Sequence, residues 1–415
     1  MAKYSSYNGV SCGNITSIND TTQISINNIN SLSLCSAQSN PAMTRLVAGF
    51  SAGYISQAPT GSLNNDTVWE TNDYKPATAA VNKNLKEIVY GKDGSGNPLF
   101  VIVTDAATNS MRRISRSDLV AKNDWTEITF VNPPDRPGDD PPSHKQQTVQ
   151  WGNDVWMSAG NMGDGGGFYT YYYIWRSTNG TTWNGISLTG STVSGSGANK
   201  ITALTTDGAG KWWFGLGNSI YKSTDNGLTF GTTAEHTVDI GASGLGIREL
   251  LYTNSTLVCT YNYNDGSGTN QPRVITAAAS DTTTWSSATQ IKYGSDAQLA
   301  AEKVSRGRCA AADGVVLFCG SHKCYFATVD GTTVTILDSF ANPRDPDGGN
   351  INAATTDGEG NWWVGSDGDS DATIYTINTS GGNYSADGWS RQVIIETPAS
   401  PNNIESLTPD RYLPL

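Results

Sequence analysis

Histidine is almost missing from this chain: His144, His236 and His322 are its three, and none has neighbours spaced like a nucleophile–base–acid triad. Charge is scarce too, at 15% of 415 residues, and the formal balance of −12 excludes nucleic-acid backbones and anionic membrane surfaces as natural partners. No apolar run reaches the length of a membrane span, so membrane insertion is not expected. The opening MAKYSSYNGVSC lacks the apolar core of a secretory signal. Long stretches of Ala, Glu, Lys and Leu are absent, which removes long helices from consideration. Cysteines at 12, 35, 259, 309, 319 and 324 form no tight framework. Cys319 and Cys324 flank Gly-Ser-His322-Lys and would offer three soft ligands, but the fourth that zinc needs is not evident, so they read as buried or hairpin thiols.

What the chain has instead is glycine (45 residues) with abundant Ser, Thr, Asn and aromatics, the makings of many short strands joined by turns. The stretch ITALTTDGAGKWWFG, residues 201–215, reads as strand, tight turn and strand, with Asp207-Gly208 and Gly210 as the turn signal. Trp212 and Trp213 are adjacent, and neighbouring strand residues point to opposite faces. Both are buried only if the sheet is covered on both sides. The same phrase returns as INAATTDGEGNWWVG at 351–365. Repeated small sheets, each sandwiched by its neighbours, make an all-β chain and a β-propeller.

The propeller begins in mid-blade. Arg45–Ile55 aligns without a gap to Lys211–Tyr221, which are second and third strands, and the missing first strand is found at the other terminus, where Ile404–Asp410 matches Ile201–Asp207. The expected ring therefore spans residues 41–415, its first blade completed by residues 402–410 and closed by that C-terminal strand. Central hairpins near 88–104, 147–160, 201–217, 247–261, 307–321 and 351–365 add six blades to the split one. Seven blades are expected, with six as the alternative because the 247–261 hairpin is irregular.

Ser223-Thr-Asp225-Asn-Gly227-Leu-Thr229-Phe230 fits the pattern S-x-D-x-G-x-T-[WF] in full, with degenerate copies at Ser177–Trp183 and Thr328–Val334. The carboxylate accepts from its own turn's amides and glycine takes the left-handed dihedral. On these residues the chain resembles the Asp-box, sialidase-like propellers over roughly residues 44–410. The resemblance implies a structural role for Asp225 and a working face opposite the boxes.

Residues 1–40 are different. Tyr4-x-x-Tyr7-Asn8, Ile15-x-x-Ile18-Asn19 and Ile26-x-x-Ile29-Asn30 recur every 11 residues. Their Ser, Thr, Gly and Asn filler favours short β rungs over a coiled coil, giving an extended, β-rich arm that needs a partner or several copies of itself to bury its apolar face. The competing reading is a disordered tail. The arm resembles short N-terminal repeats on structural proteins of marine tailed phages, which implies docking to other virion proteins, homo-oligomers on the particle, and a protein assembled in the host cytoplasm that works outside cells.

Three long loops and the crossovers on the face opposite the boxes supply the candidate site. Asp164, Phe168, Tyr169, Tyr171 and Tyr172 combine a glycine hinge with an aromatic cluster, and Tyr263 with Asp265 and the crossover's Arg344 add polar partners. Tyrosines beside amides and carboxylates suit stacking on a host-surface glycan; the competing reading is that they pack the loops down. Asp367, Asp369 and Asp371 have the alternate-carboxylate spacing that calcium favours, without the EF-hand's continuation, where Ala372 and Asn378 stand. No other cofactor is expected. A sialidase would need an arginine-bearing F-R-I-P stretch, and Thr44-Arg45-Leu46-Val47 is the nearest. The expectation is a non-catalytic virion protein with a propeller head. The alternatives are a glycoside hydrolase, whose chemistry needs only two carboxylates, and a cellular carbohydrate-binding scaffold.

Overall fold

The turns between strands explain why this sequence breaks where it does. In the computed structural model, Asp207 Oδ1 accepts from the amides of Ala209 (2.8 Å) and Lys211 (2.9 Å), while the Thr206 hydroxyl donates to Lys211 O (2.8 Å). The second copy repeats this network: Asp357 Oδ1 accepts from Glu359 and Asn361, and Thr356 donates to Asn361 O. Gly208 and Gly210 have φ of 67° and 107°, a region that side chains avoid, so the motif Thr-Asp-Gly-x-Gly is dictated by the turn. Where the turn has only two residues, Asn153-Asp154, Asn254-Ser255 and Asp313-Gly314 all take positive φ, the geometry that matches strand twist.

The structure describes residues 6–7, 10–11, 45–50, 54–59, 70–73, 85–104, 111–115, 126–131, 143–163, 170–186, 188, 201–242, 246–266, 270–291, 309–320, 323–341, 351–366, 372–382, 384, 389–395 and 403–410. Every regular element among them is a strand. Two compact units separate between Ala42 and Met43. In the first, β1 (Ser6–Tyr7) pairs antiparallel with β2 (Val10–Ser11), Tyr7 opposite Val10. The expected isoleucine rungs of residues 15–29 lie outside the described residues.

The second unit is a circuit of antiparallel sheets. Sheet one holds β3 (Arg45–Phe50), β4 (Tyr54–Pro59) and β5 (Glu70–Asp73); sheet two holds β6 (Leu85–Lys92), β7 (Pro98–Thr104), β8 (Met111–Ser115) and β9 (Thr126–Glu127). Sheet three contains β10 (Thr129–Val131), β11 (Ser143–Gly152), β12 (Val155–Gly163), β13 (Thr170–Ser177) and β14 (Thr182–Ile186). Sheet four runs β15 (Ile201–Thr206), β16 (Trp212–Leu216), β17 (Ser219–Ser223), β18 (His236–Thr237), and sheet five β19 (Gly246–Thr253), β20 (Thr256–Asn264), β21 (Asn270–Ala278), β22 (Thr289–Gln290). Sheet six is β23 (Cys309–Ala312), β24 (Val315–Cys319), β25 (Lys323–Asp330), β26 (Thr333–Ala341); sheet seven is β27 (Ile351–Thr356), β28 (Asn361–Ser366), β29 (Ala372–Asn378), β30 (Ser390–Ile395). The last strand, β31 (Ile404–Pro409), returns to sheet one as its inner edge, pairing Val47 with Thr408 and Ala48 with Leu407.

Six of these sheets are regular four-stranded blades. Sheet three departs from the pattern because β10 adds a fifth strand, parallel to β14, on its outer edge. The inner strands follow one another around the axis as β31, β6, β11, β15, β19, β23, β27 and back to β31.

The tryptophan pairs divide as the period of two requires. Trp212 packs into the cluster with Met157 and Ile174 of sheet three, while Trp213 packs into the cluster with Leu250 and Leu257 of sheet five. Trp362 likewise faces Phe326 of sheet six and Trp363 faces Leu46 of sheet one. Glycines let the sheets close up. A Cβ on Gly215 would sit 2.7 Å from Ile247 Cγ2, and one on Gly365 2.7 Å from Ile404 Cγ2, so each glycine in a second strand seats the first apolar residue of the next sheet's inner strand. A bulge just after that residue recurs in β6, β15, β19 and β27, at the matching place in β31, and after Gln146 in β11. Polar latches finish the seam: Glu87 accepts from Val149 N–H at 2.8 Å, Ser406 from Ile88 N–H at 3.1 Å, and Thr202 donates to Ile247 O at 2.7 Å.

The S-x-D-x-G-x-T turn after β17 is held by its own side chains. The Ser223 hydroxyl donates to Asp225 Oδ1 (2.7 Å) and accepts from Gly227 N–H (3.0 Å); Asp225 accepts from the Thr229 amide (2.9 Å) and hydroxyl (2.6 Å). Asn179 reproduces this with Ser177, Thr181 and Thr182. The third copy does not: Asp330 pairs with Thr333 across a two-residue hairpin, and Gly331 N–H is taken by Thr256 of sheet five. Burial alone would raise the Asp225 carboxyl, but the bonds from Thr229, Ser223 and Leu228 outweigh it and hold it at about 2 rather than 3.8. A folded value below the unfolded one stabilises above pH 3.8, and that stability is lost as pH falls towards about 2. Because the turn is largely solvated, Asp225→Asn is expected to cost about 1 kcal/mol at neutral pH and to flatten this acid limb; urea melts of both proteins across the range check it.

Candidate functional site

In a four-stranded meander the first-to-second and third-to-fourth turns lie at one end of the sheet, and the second-to-third loops and crossovers at the other. The Asp207 and Asp225 turns therefore share one face. Of the residues expected on the opposite face, Asp164, Phe168, Tyr169, Arg344 and the Asp367, Asp369, Asp371 trio lie outside the described residues. Tyr171 and Tyr172 extend β13, opposite Met162 and Asn161, with only their backbone described.

Tyr263 and Asp265 are described, and their surroundings are informative. The Arg273 guanidinium lies over the Tyr263 ring at 3.5 Å, and the ring also packs against the core cluster between sheets four and five. Arg273 Nη2 donates to Gln271 Oε1 at 3.3 Å, and Gln271 Nε2 to Asp265 Oδ2 at 3.4 Å. Burial pushes the neighbouring Tyr261 hydroxyl up, with Arg273 opposing it. Tyr263 is thus a half-buried ring covered on one side by a cation.

The axis carries a feature that sequence reasoning missed. A cavity of about 200 Å³ is lined by six inner strands. Its polar lining includes Lys86, Glu87, Gln150, Glu249, Glu405 and Thr355. The bulge explains this placement, because an extra residue re-aims the side chains of a strand otherwise buried on both faces. Glu249 is almost fully buried beside Arg248, whose guanidinium burial pushes down while Glu249 pulls it back up. The available signal was a charged pair inside an apolar inner strand, Lys86-Glu87 and again Arg248-Glu249. Glu87 is already engaged by the Val149 amide, so part of this polarity serves the seam. Among the described residues no three His, Cys, Asp or Glu side chains converge as a metal site would need.

No family model matches the chain, and no curated protein matches it. Solved structures do. A candidate 6-phosphogluconolactonase from Bacteroides fragilis is 12% identical with a TM-score of 0.50, over 89% of this chain and 98% of that one. The chain shares its propeller fold. A protein from Lactobacillus plantarum matches at 12% identity and TM-score 0.48, over 72% of this chain and 82% of that one. The Aleuria aurantia lectin matches at 12% and 0.40, over 76% and 97%. At such identity the likeness concerns architecture alone.

Proposed function

We propose that this propeller is the interaction head of a non-catalytic structural protein in a tailed-phage particle, with residues 1–40 as the arm that docks it. The observation that carries this reading is that, among the described residues, every strand of the circuit comes from residues 45–409, with the closing strand supplied by β31. A first unit that the propeller does not need for closure is available for other virion proteins or for its own copies. The side-chain-held turns at Ser177 and Ser223 support the resemblance to Asp-box propellers, and they use up the Asp225 carboxylate in holding the turn. That leaves the opposite face for a protein or a host-surface glycan.

Deleting residues 1–40 is expected to leave a folded propeller with an unchanged melting transition, while particle incorporation falls to background. Undiminished incorporation would refute the arm's role. Glycan-array binding, followed by an assay for released reducing sugar, distinguishes a binding head from a hydrolase on the same scaffold.

A further inference from the structure

Four cysteines among the described residues are buried, and two of them face each other. Cys319 ends β24, Cys324 stands near the start of β25, and the two are direct cross-strand partners. Directly opposed residues of an antiparallel pair project to the same side, here into the cluster with Phe326 and Trp362 between sheets six and seven. Their sulfurs lie 2.6 Å apart, so neither side chain needs to turn to reach the other. Opposed strand positions also have the Cα separation that a cystine spans. The remaining buried pair is arranged differently: Cys309 belongs to the cluster between sheets five and six, and Cys259 to that between sheets four and five. Burial and the nearby Glu249 push the Cys259 thiol up, which keeps it protonated and unreactive.

We infer that Cys319 and Cys324 form a cross-strand disulfide when the protein folds in an oxidising environment, closing the loop Gly320–Lys323 on the face opposite the Asp225 turn. The chemistry is a two-step exchange with a small disulfide such as oxidised glutathione. One cysteine thiolate attacks a glutathione sulfur and expels one glutathione thiolate. The second cysteine then loses its proton, attacks the mixed disulfide and expels the other. Two protein thiols are oxidised, one glutathione disulfide is reduced to two thiols, and the two protons are returned to them. The bond would tie β24 to β25 at the last pair of their ladder.

The test uses the full chain, diluted from urea into glutathione buffers of increasing oxidised fraction, quenched with acid, and alkylated unfolded before trypsin digestion. Cleavage after Lys323 separates the two cysteines, so the disulfide appears as residues 309–323 joined to 324–344, lighter by two hydrogen atoms than the sum of the parts. Fragmentation is expected to place the bond at Cys319, and Cys309→Ala is expected to retain it. The oxidised protein should melt a few degrees above the reduced one, and Cys324→Ser should abolish that difference while keeping a cooperative transition. The same mapping on chain exported to an oxidising bacterial compartment removes any dependence on refolding in vitro. Alkylation of both cysteines under the most oxidising condition of each arm would overturn the inference. So would a bond that runs through Cys309.

Discussion

A chain ending at residue 402 is expected to lose its cooperative unfolding transition. Residues 404–409 are the inner strand of sheet one and one stave of the axial wall, so their removal opens the circuit on two sides at once. On one side β3 is left with an unpaired edge along Leu46–Phe50, whose four side chains are all apolar and fully buried. On the other, Gly365 of sheet seven loses the Ile404 side chain it seats, and Ile88 N–H of sheet two loses the Ser406 hydroxyl. Buried Ile404 and Leu407 stabilise by about 1.5–3 kcal/mol each. The backbone ladder of five pairs, the Asp410 carboxylate on Arg45 N–H and the newly exposed faces of the neighbouring sheets come on top. Together these losses rival the whole stability of a domain, about 5–15 kcal/mol. The measurement is a urea melt followed by tryptophan fluorescence and circular dichroism in parallel, since loss of two-state behaviour makes the probes diverge. A synthetic peptide of residues 403–410 added to the truncated chain is expected to restore a single transition. A truncated protein that melts sharply near the full-length midpoint would show that closure by the last strand matters little.

Much of this architecture was legible because the motif carries its own explanation. Thr-Asp-Gly-x-Gly specifies a turn through side-chain bonds within five residues, and two adjacent tryptophans state that a sheet has no wet face. The pairing of residues 404–409 with the strand from Arg45 was legible for the same reason: both halves of a repeated phrase were present, far apart in the chain. What resisted was what depends on neighbours. The Thr328–Val334 segment has the letters of the Ser223 turn, but β25 and β26 pair through to Asp330 and Thr333, leaving only two residues to turn in. The fifth strand of sheet three arises from a tertiary parallel pairing of Phe130 with Trp183 that no local signal announces. The axial carboxylates were overlooked because the inner-strand bulge, which no residue type marks, decides where Glu87 and Glu249 project. Tyr263 is instructive in another way. Hairpin register places Arg273 opposite Tyr261, two pairs along from Gln271 opposite Tyr263 and on the same face, and from there the guanidinium covers the ring.

Replacing Trp213 by alanine is expected to cost about 3–5 kcal/mol, the range for removing a large aromatic from a close-packed core. The indole is fully buried and stacks nearly parallel on Tyr252 of sheet five, with centroids 6.3 Å apart and planes 14° from coplanar. Its N–H has no hydrogen-bond partner, so the substitution removes packing and leaves no orphaned acceptor behind. Trp212 differs on this point, because its N–H donates to Asn226 Oδ1 at 3.3 Å in the turn of its own sheet. Trp213→Ala therefore isolates the seam between sheets four and five from the integrity of sheet four itself. Two further variants make the reading specific. Trp213→Phe keeps a ring against Tyr252 and should recover more than half of the loss. In a double-mutant cycle, Trp213→Ala and Tyr252→Ala should couple by about 0.5–1.5 kcal/mol, as stacked rings do. If the sheets were held chiefly by their polar latches, the alanine variant would lose less than about 1 kcal/mol and the cycle would show no coupling. The aromatic seam would then be filler, and Glu87, Thr202 and Ser406 would carry the ring.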